Sequence, residues 1–375
     1  MRFLNSSLLL LAVVCLGAIQ ACDEQSARQS NIMDELSAGE ALAGEALAGE
    51  ALSEPNYPLD DQLRVNHLQA LGTHNSYHLA SEINILPWRY SHLALDEQLD
   101  QQGVRQFELD IYDQAGALNV YHVERLDQES NCADLSICLS LMKAWSDNHL
   151  EHHPLLVLLE LKSSDRSAPE VIEAIENTVK QTWGPNRVLK PSDVQRNYPT
   201  LRAGLAAEGW PTLGESRGKV IFVLHTSGET REVLVNGENG LQNRLLFPDA
   251  YGDLEADYAA YHSINDPIQS YELIEQVVRA GHLVRTRADV DSEQTVSLDY
   301  TRAEQALLSG AHWISTDYPR PASPDEYGFV IPQGTPSRCH PFMAPEECES
   351  IAIENLASES ATSEPATSES ETSNE

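Results

Sequence analysis

Basic residues are scarce. The 375-residue chain has 24 lysines and arginines against 58 aspartates and glutamates, a formal net charge of −34. A nucleic-acid binder needs a basic footprint to displace counterions from phosphates, so that class is excluded. Anionic membrane surfaces repel the chain as a whole. Long apolar runs are missing too, since the stretch 8–19 falls short of a membrane span. Hydrophobic residues make up 41%, slightly lean for a fully packed chain, which points to segments without a core. What abounds is carboxylate, and carboxylates hold hard divalent cations well.

The surplus is uneven. Residues 23–61 hold ten acids and one base, Arg28, and residues 346–375 hold nine acids and no base. Residues 1–22 have the pattern of a signal peptide: Arg2, the apolar run 8–19, then Ala21-Cys22. The ending Ile19-Gln20-Ala21-Cys22 resembles a bacterial lipobox. That resemblance implies lipidation of Cys22 and a membrane anchor, with ordinary secretion as the alternative. Both place the mature protein outside the cytoplasm. Residues 23–61 then form an acidic linker around a pentapeptide repeat (39–43, 44–48, 49–53). A period of five is too short for a solenoid unit. Residues 349–375, rich in Ser, Thr, Ala, Pro and Glu, cannot repay their ordering entropy and are expected to form a disordered tail.

Of six cysteines, Cys15 lies in the leader and Cys22 at its end, leaving Cys132, Cys138, Cys339 and Cys348. An even remainder in an oxidising compartment implies disulfides. Cys132–Cys138 with Cys339–Cys348 is the simplest of three connectivities. A four-cysteine zinc site is the alternative, although neither pair has the tight C-x2-C spacing.

Residues 62–348 carry the folded domain, close to the roughly 250 residues of a (β/α)8 barrel. Short apolar runs at 68–71, 105–111, 118–123, 155–161, 220–225, 282–285 and 313–315 read as strands. Between them, 135–148, 169–182 and 268–280 read as helices. Such alternation predicts a parallel sheet with covered faces, a TIM-type α/β barrel. Several of these strands end in polar residues: His74 and Asn75, Glu108 and Asp110, His122, Glu160 and Lys162, Thr316 and Asp317. In a β/α barrel the carboxyl ends of the strands meet at one face, so these residues converge. Glu108 and Asp110, two apart on a strand, share a face. With Asn75 and Glu160 they make a set of hard oxygen donors suited to calcium rather than zinc. His74 and His122 flank it, suited to acid–base work near neutral pH. The pair His152-His153 reads as a solvated helix end, and His67, His92, His225, His282, His312 and His340 are taken as structural. Glu108 alone has ion-pair candidates in Arg105 and Lys162.

Three blocks are diagnostic: Gly72-Thr73-His74-Asn75-Ser76-Tyr77-His78, Gly103-Val104-Arg105-Gln106-Phe107-Glu108-Leu109-Asp110, and Val120-Tyr121-His122. They resemble the calcium-dependent phosphoinositide-specific phospholipase C family of the PLC-like phosphodiesterases. Trp210-Pro211-Thr212-Leu213-Gly214, Val284-Arg285-Thr286-Arg287-Ala288-Asp289 and Ile314-Ser315-Thr316-Asp317-Tyr318 are also similar to its bacterial members. The resemblance implies a TIM-type barrel, Ca2+ as cofactor, and cleavage of a phospholipid or other phosphodiester by a monomeric enzyme. It implies His74 and His122 as catalytic groups and Asn75, Glu108, Asp110 and Glu160 as metal ligands. Lys162, Arg285 and Asp317 are the residues expected to bind substrate. The general base is left open among His74, Glu108 and Glu160. Calcium-independent bacterial phosphatidylinositol lyases on the same fold use an Arg in place of the metal, and Glu108-Leu109-Asp110 favours calcium here. A glycerophosphodiester-type phosphodiesterase and a non-catalytic surface lipoprotein on the same barrel are the alternatives.

Overall fold

A computed structural model describes residues 57–355, apart from 83–84, 238–239, 291–293, 295–296 and 321–325. The signal peptide, Cys22, most of the acidic linker and most of the tail lie outside the described residues.

Ten strands are present among them: β1 (Leu68–Thr73), β2 (Gln106–Gln114), β3 (Ala117–Val120), β4 (Leu155–Ser164), β5 (Val220–His225), β6 (Leu246–Pro248), β7 (Tyr261–Ser263), β8 (Leu283–Arg287), β9 (Trp313–Thr316) and β10 (Arg338–Cys339). Eight form a parallel sheet in the order β6-β5-β4-β2-β1-β9-β8-β7. A single parallel bridge, Asp249 to Tyr261, joins the two ends and nearly closes the barrel. The apolar run Leu155–Leu159 in β4 is buried throughout, as a strand covered on both faces must be. Helices cover the outside. Ala168–Thr182 shows why: Ser167 and Glu170 form a capping box, Pro169 sits in the first turn, and Val171, Ile172, Ile175 and Val179 make one buried stripe. Inside the barrel Gly72 leaves room for Gln106, since a Cβ there would lie 2.0 Å from Gln106 Oε1.

Four expectations change. The run 118–123 is not a barrel strand: β3 pairs antiparallel with β2, off the barrel path, in a hairpin that folds back and returns His122 to the mouth. The short strands β6 and β7 were not foreseen, because three residues carry too little periodicity and no described helix separates them. The domain also extends beyond 62–348. Tyr57 is buried beneath the Arg217 guanidinium, which pairs with Asp60. Glu354 is fully buried on Arg105. Both contacts lie at the amino-terminal face of the barrel. His152 and His153, read as a solvated helix end, are buried there too, bonded to Ser146 and Ser337. The four cysteines form the two local disulfides, Cys132–Cys138 and Cys339–Cys348.

Candidate active site

The first corner of the mouth is built by the end of β1. Asn75 adopts a left-handed conformation (φ 45°), which Asn tolerates better than most residues. That turns the chain so that Ser76 clasps β2: its N–H donates to the Glu108 carbonyl (3.0 Å) and its Oγ accepts from the Glu108 N–H (2.8 Å). His74 Nδ1 then lies 2.8 Å from Asp317 Oδ1, and Arg287 lies 3.1 Å from the other Asp317 oxygen. Burial pushes Asp317 up, but His74 and Arg287 outweigh it and hold the carboxyl at about 2.

Next to this corner three carboxylates converge. Glu108, Asp110 and Glu160 offer oxygens within 4.8 Å of one another. Asp110 is fully buried. Lys162, beside a bulge where β4 slips against β2, brings its ammonium to 2.6 Å from Glu160 and 3.2 Å from Asp110. Arg285 is bonded to Glu108 and to Asn265. Burial pushes Glu108 up, but Arg285, with His74, His225 and Arg287, prevails and holds it at about 2. Burial also pushes Asp110 up. Lys162 opposes this, yet Glu160 and Glu108 add to the rise, and the carboxyl stays well above its ordinary range. Three clustered acids, one of them fully buried and pushed towards its neutral form by burial and by the other two, suit a hard divalent cation.

On the other side, His122 follows the hairpin. Its Nδ1 lies 2.8 Å from Asp127 Oδ2, and the edge of Trp88 packs against its ring at 5.3 Å. Burial lowers His122, outweighing Asp127. A third pair stands beside the carboxylates: His225 Nδ1 lies 2.7 Å from Asp249 Oδ2, and β4–β5 register puts His225 across from Glu160. Burial would lower His225, but Asp249 outweighs it and the ring is raised.

The barrel thus gathers His74, Asn75, Glu108, Asp110, His122, Glu160, Lys162, Arg285 and Asp317 at one mouth. Of the expected substrate contacts, Arg285 is fully buried with its guanidinium on Glu108 and Asn265, and Asp317 is held between His74 and Arg287. Sequence reading missed Asp127, Arg287 and the His225–Asp249 pair. Arg287 was detectable, since the spacing Arg285-x-Arg287 puts both on the inner face. Asp127 carries no such signal, because a loop supplies it.

A parallel barrel whose mouth joins a carboxylate cluster to two carboxylate-oriented histidines fits the class of metal-dependent phosphodiesterases. Comparison with known proteins agrees. The model of the Ca2+-dependent phosphoinositide phospholipase C family matches residues 63–118 and 113–341. Among solved structures, a Ca2+-dependent phosphatidylinositol-specific phospholipase C from Streptomyces antibioticus superposes with a TM-score of 0.53 at 20% identity, covering 68% of this chain and 95% of that one. A calcium-dependent phosphoinositol-specific phospholipase C from a Gram-negative Pseudomonas sp. gives 0.51 at 19% identity, covering 71% and 94%. At those identities the structures establish the shared fold. No curated protein sequence matches the chain. The chain belongs to the Ca2+-dependent phosphoinositide phospholipase C family, and it is a phosphodiesterase. No helix among the described residues is long and apolar enough to cross a membrane.

Proposed function

We propose that the protein cleaves phosphatidylinositol-type lipids to an inositol phosphate and diacylglycerol in a Ca2+-dependent reaction at the barrel mouth. The observation that carries this reading is the Glu108, Asp110 and Glu160 cluster within 4.8 Å, flanked by His74 and His122. These three acids, with Asn75, would hold Ca2+. Bound there, the ion would offset phosphate charge and make a coordinated hydroxyl more acidic. His74, fixed by Asp317, would stabilise charge on the phosphoryl oxygens or take part in proton transfer. His122, fixed by Asp127, would give its proton to the leaving alkoxide. Lys162, at the edge of the mouth, would turn from the carboxylates to the substrate phosphate once the metal satisfies them. If the attacking hydroxyl belongs to the headgroup ring, attack is intramolecular and gives a cyclic phosphate, with the proximity gain this brings.

Two disulfides support an extracytoplasmic site of action, and we extend the proposal to anchoring through Cys22. Purified protein should release diacylglycerol from phosphatidylinositol vesicles with Ca2+ and stop when a chelator is added. Cleavage of glycerophosphodiesters but not of phosphatidylinositol would replace the lipid reading. Calcium-dependent thermal stabilisation without turnover of any phosphodiester would point to a non-catalytic surface protein.

A further inference from the structure

The strand ladder stops just short of Asp317. β9 pairs with β1 as far as Thr316 and with β8 as far as Ser315. The Asp317 N–H lies beyond this pairing and needs another acceptor. Asp289, two residues past the end of β8, supplies one. Its Oδ1 lies 2.9 Å from the Asp317 nitrogen, and its Oδ2 accepts from the Thr316 hydroxyl. That hydroxyl in turn accepts from the Tyr318 N–H at 2.9 Å. Asp289 and Thr316 are fully buried. The Tyr327 hydroxyl lies beside them, 3.4 Å from the Ala288 carbonyl oxygen. Three successive residues of the turn, 316 to 318, are thus tied through one carboxylate.

We infer that Asp289 is a positioning residue for His74: it holds the backbone of Asp317 while Arg287 holds the side chain, so that the Asp317 carboxylate keeps its aim. Arg287 lies 3.1 Å from Asp317 Oδ2, and His74 Nδ1 lies 2.8 Å from Oδ1. A carboxylate gripped only at its oxygens still turns about χ1 and χ2 when the chain beneath it shifts. Gripped at the N–H as well, it is fixed at both ends. The two grips come from one place, since Arg287 ends β8 and Asp289 follows it. Burial, and then Asp317, push Asp289 up against the pull of Arg287, so this place favours an uncharged acceptor over a second anion. Asp289 meets no reacting atom and acts through Asp317 alone. The inference rests on the reading of His74 as a group that acts at the phosphoryl, and adds the residue that sets its aim.

The test compares Asp289→Ala with Asp289→Asn, which keeps an acceptor for the Asp317 N–H. In Asp289→Ala, kcat on phosphatidylinositol with Ca2+ should fall about a hundredfold, the scale of a misaimed group, while KM holds. Asp289→Asn should recover most of that loss. In an Asp317→Ala background, Asp289→Ala should cost nothing further, because the side chain it positions is gone. A retained Ca2+-induced rise in Tm shows that the variants are folded. Where Asp289→Ala is not, Thr316→Val, which removes the hydroxyl bonded to Asp289, takes its place and should lower kcat in the same way. Full kcat in Asp289→Ala, an Asp289→Asn no better than Asp289→Ala, or equal losses with and without the Asp317 side chain overturns the inference. A parent that cleaves no phosphodiester would remove the proposed function instead. A crystal structure of Asp289→Ala then decides: the 2.8 Å contact of His74 with Asp317 should open beyond hydrogen-bond reach, and an unmoved pair overturns the inference.

Discussion

Asp110 is the side chain whose surroundings suit it least without a cation. It is fully buried, faces Glu108 and Glu160, and has the Lys162 ammonium 3.2 Å away as its cationic neighbour. Asp110→Asn keeps the shape and removes the repulsion. Metal-free Asp110→Asn should therefore melt no lower than the metal-free parent, while losing both activity and the Ca2+-induced rise in Tm. In the parent that rise corresponds to about 2.7 kcal/mol at a hundredfold excess over Kd. Calorimetry with and without chelator measures both, and an intact Ca2+ shift in the variant would remove Asp110 from the metal site. His74→Ala should separate binding from chemistry. Loss of a positioned acid–base group costs on the order of 10²–10⁴ in rate, with the Ca2+-induced Tm shift preserved. Full activity in that variant would sink the catalytic role.

At the scale of elements, the barrel divides function from support. The strand ends carry the proposed chemistry, and the opposite face carries the strap formed by residues 349–355. Its anchor is Glu354, bonded to Arg105 and to the His153 N–H. Burial raises Glu354, but Arg105 outweighs it and holds the carboxyl at about 2, below its ordinary 4.5. A depressed carboxyl stabilises the fold above its unfolded pKa, and that contribution is lost as pH falls from about 4.5 towards 2. Glu354→Gln strands the buried Arg105 charge and should cost about 3–5 kcal/mol in denaturant melts. The folded fraction should keep its kcat, since the active site is at the other end. A variant as stable as the parent would show that Arg105 finds another partner.

Across the whole molecule, histidine burial sets the acid limit. His92, His152, His153, His262, His282 and His340 are each lowered to about 3 or 4, in every case chiefly because burial disfavours the charged ring. In the unfolded chain they titrate near 6.5, so below that pH the unfolded state takes up more protons and stability falls with pH. His67, His122 and His312 are lowered by burial as well, so His225, which runs the other way, is one against nine. Tm should begin to drop near pH 6.5, above the carboxylate range, and continue down to about pH 4. A Tm constant between pH 7 and 5 in calorimetric scans would contradict this.

The parallel barrel was legible because apolar runs such as Leu155–Leu159 alternate with helical stripes such as that of Ala168–Thr182. The polar residues at strand ends were legible for the same reason, since strand periodicity tells which side chains share a face. Cysteine number and charge distribution also needed no coordinates. Tertiary structure decided the pairings. Nothing along the chain joins Asp317 to His74, Arg285 to Glu108 or Glu354 to Arg105. These contacts depend on strand register and barrel closure, which bring together residues hundreds of positions apart. The fold-back of β3 and the sharing of Asp127 by His78 and His122 are likewise set in space. Periodicity encodes the face on which a side chain lies; only packing assigns its partner and, through that partner, its charge.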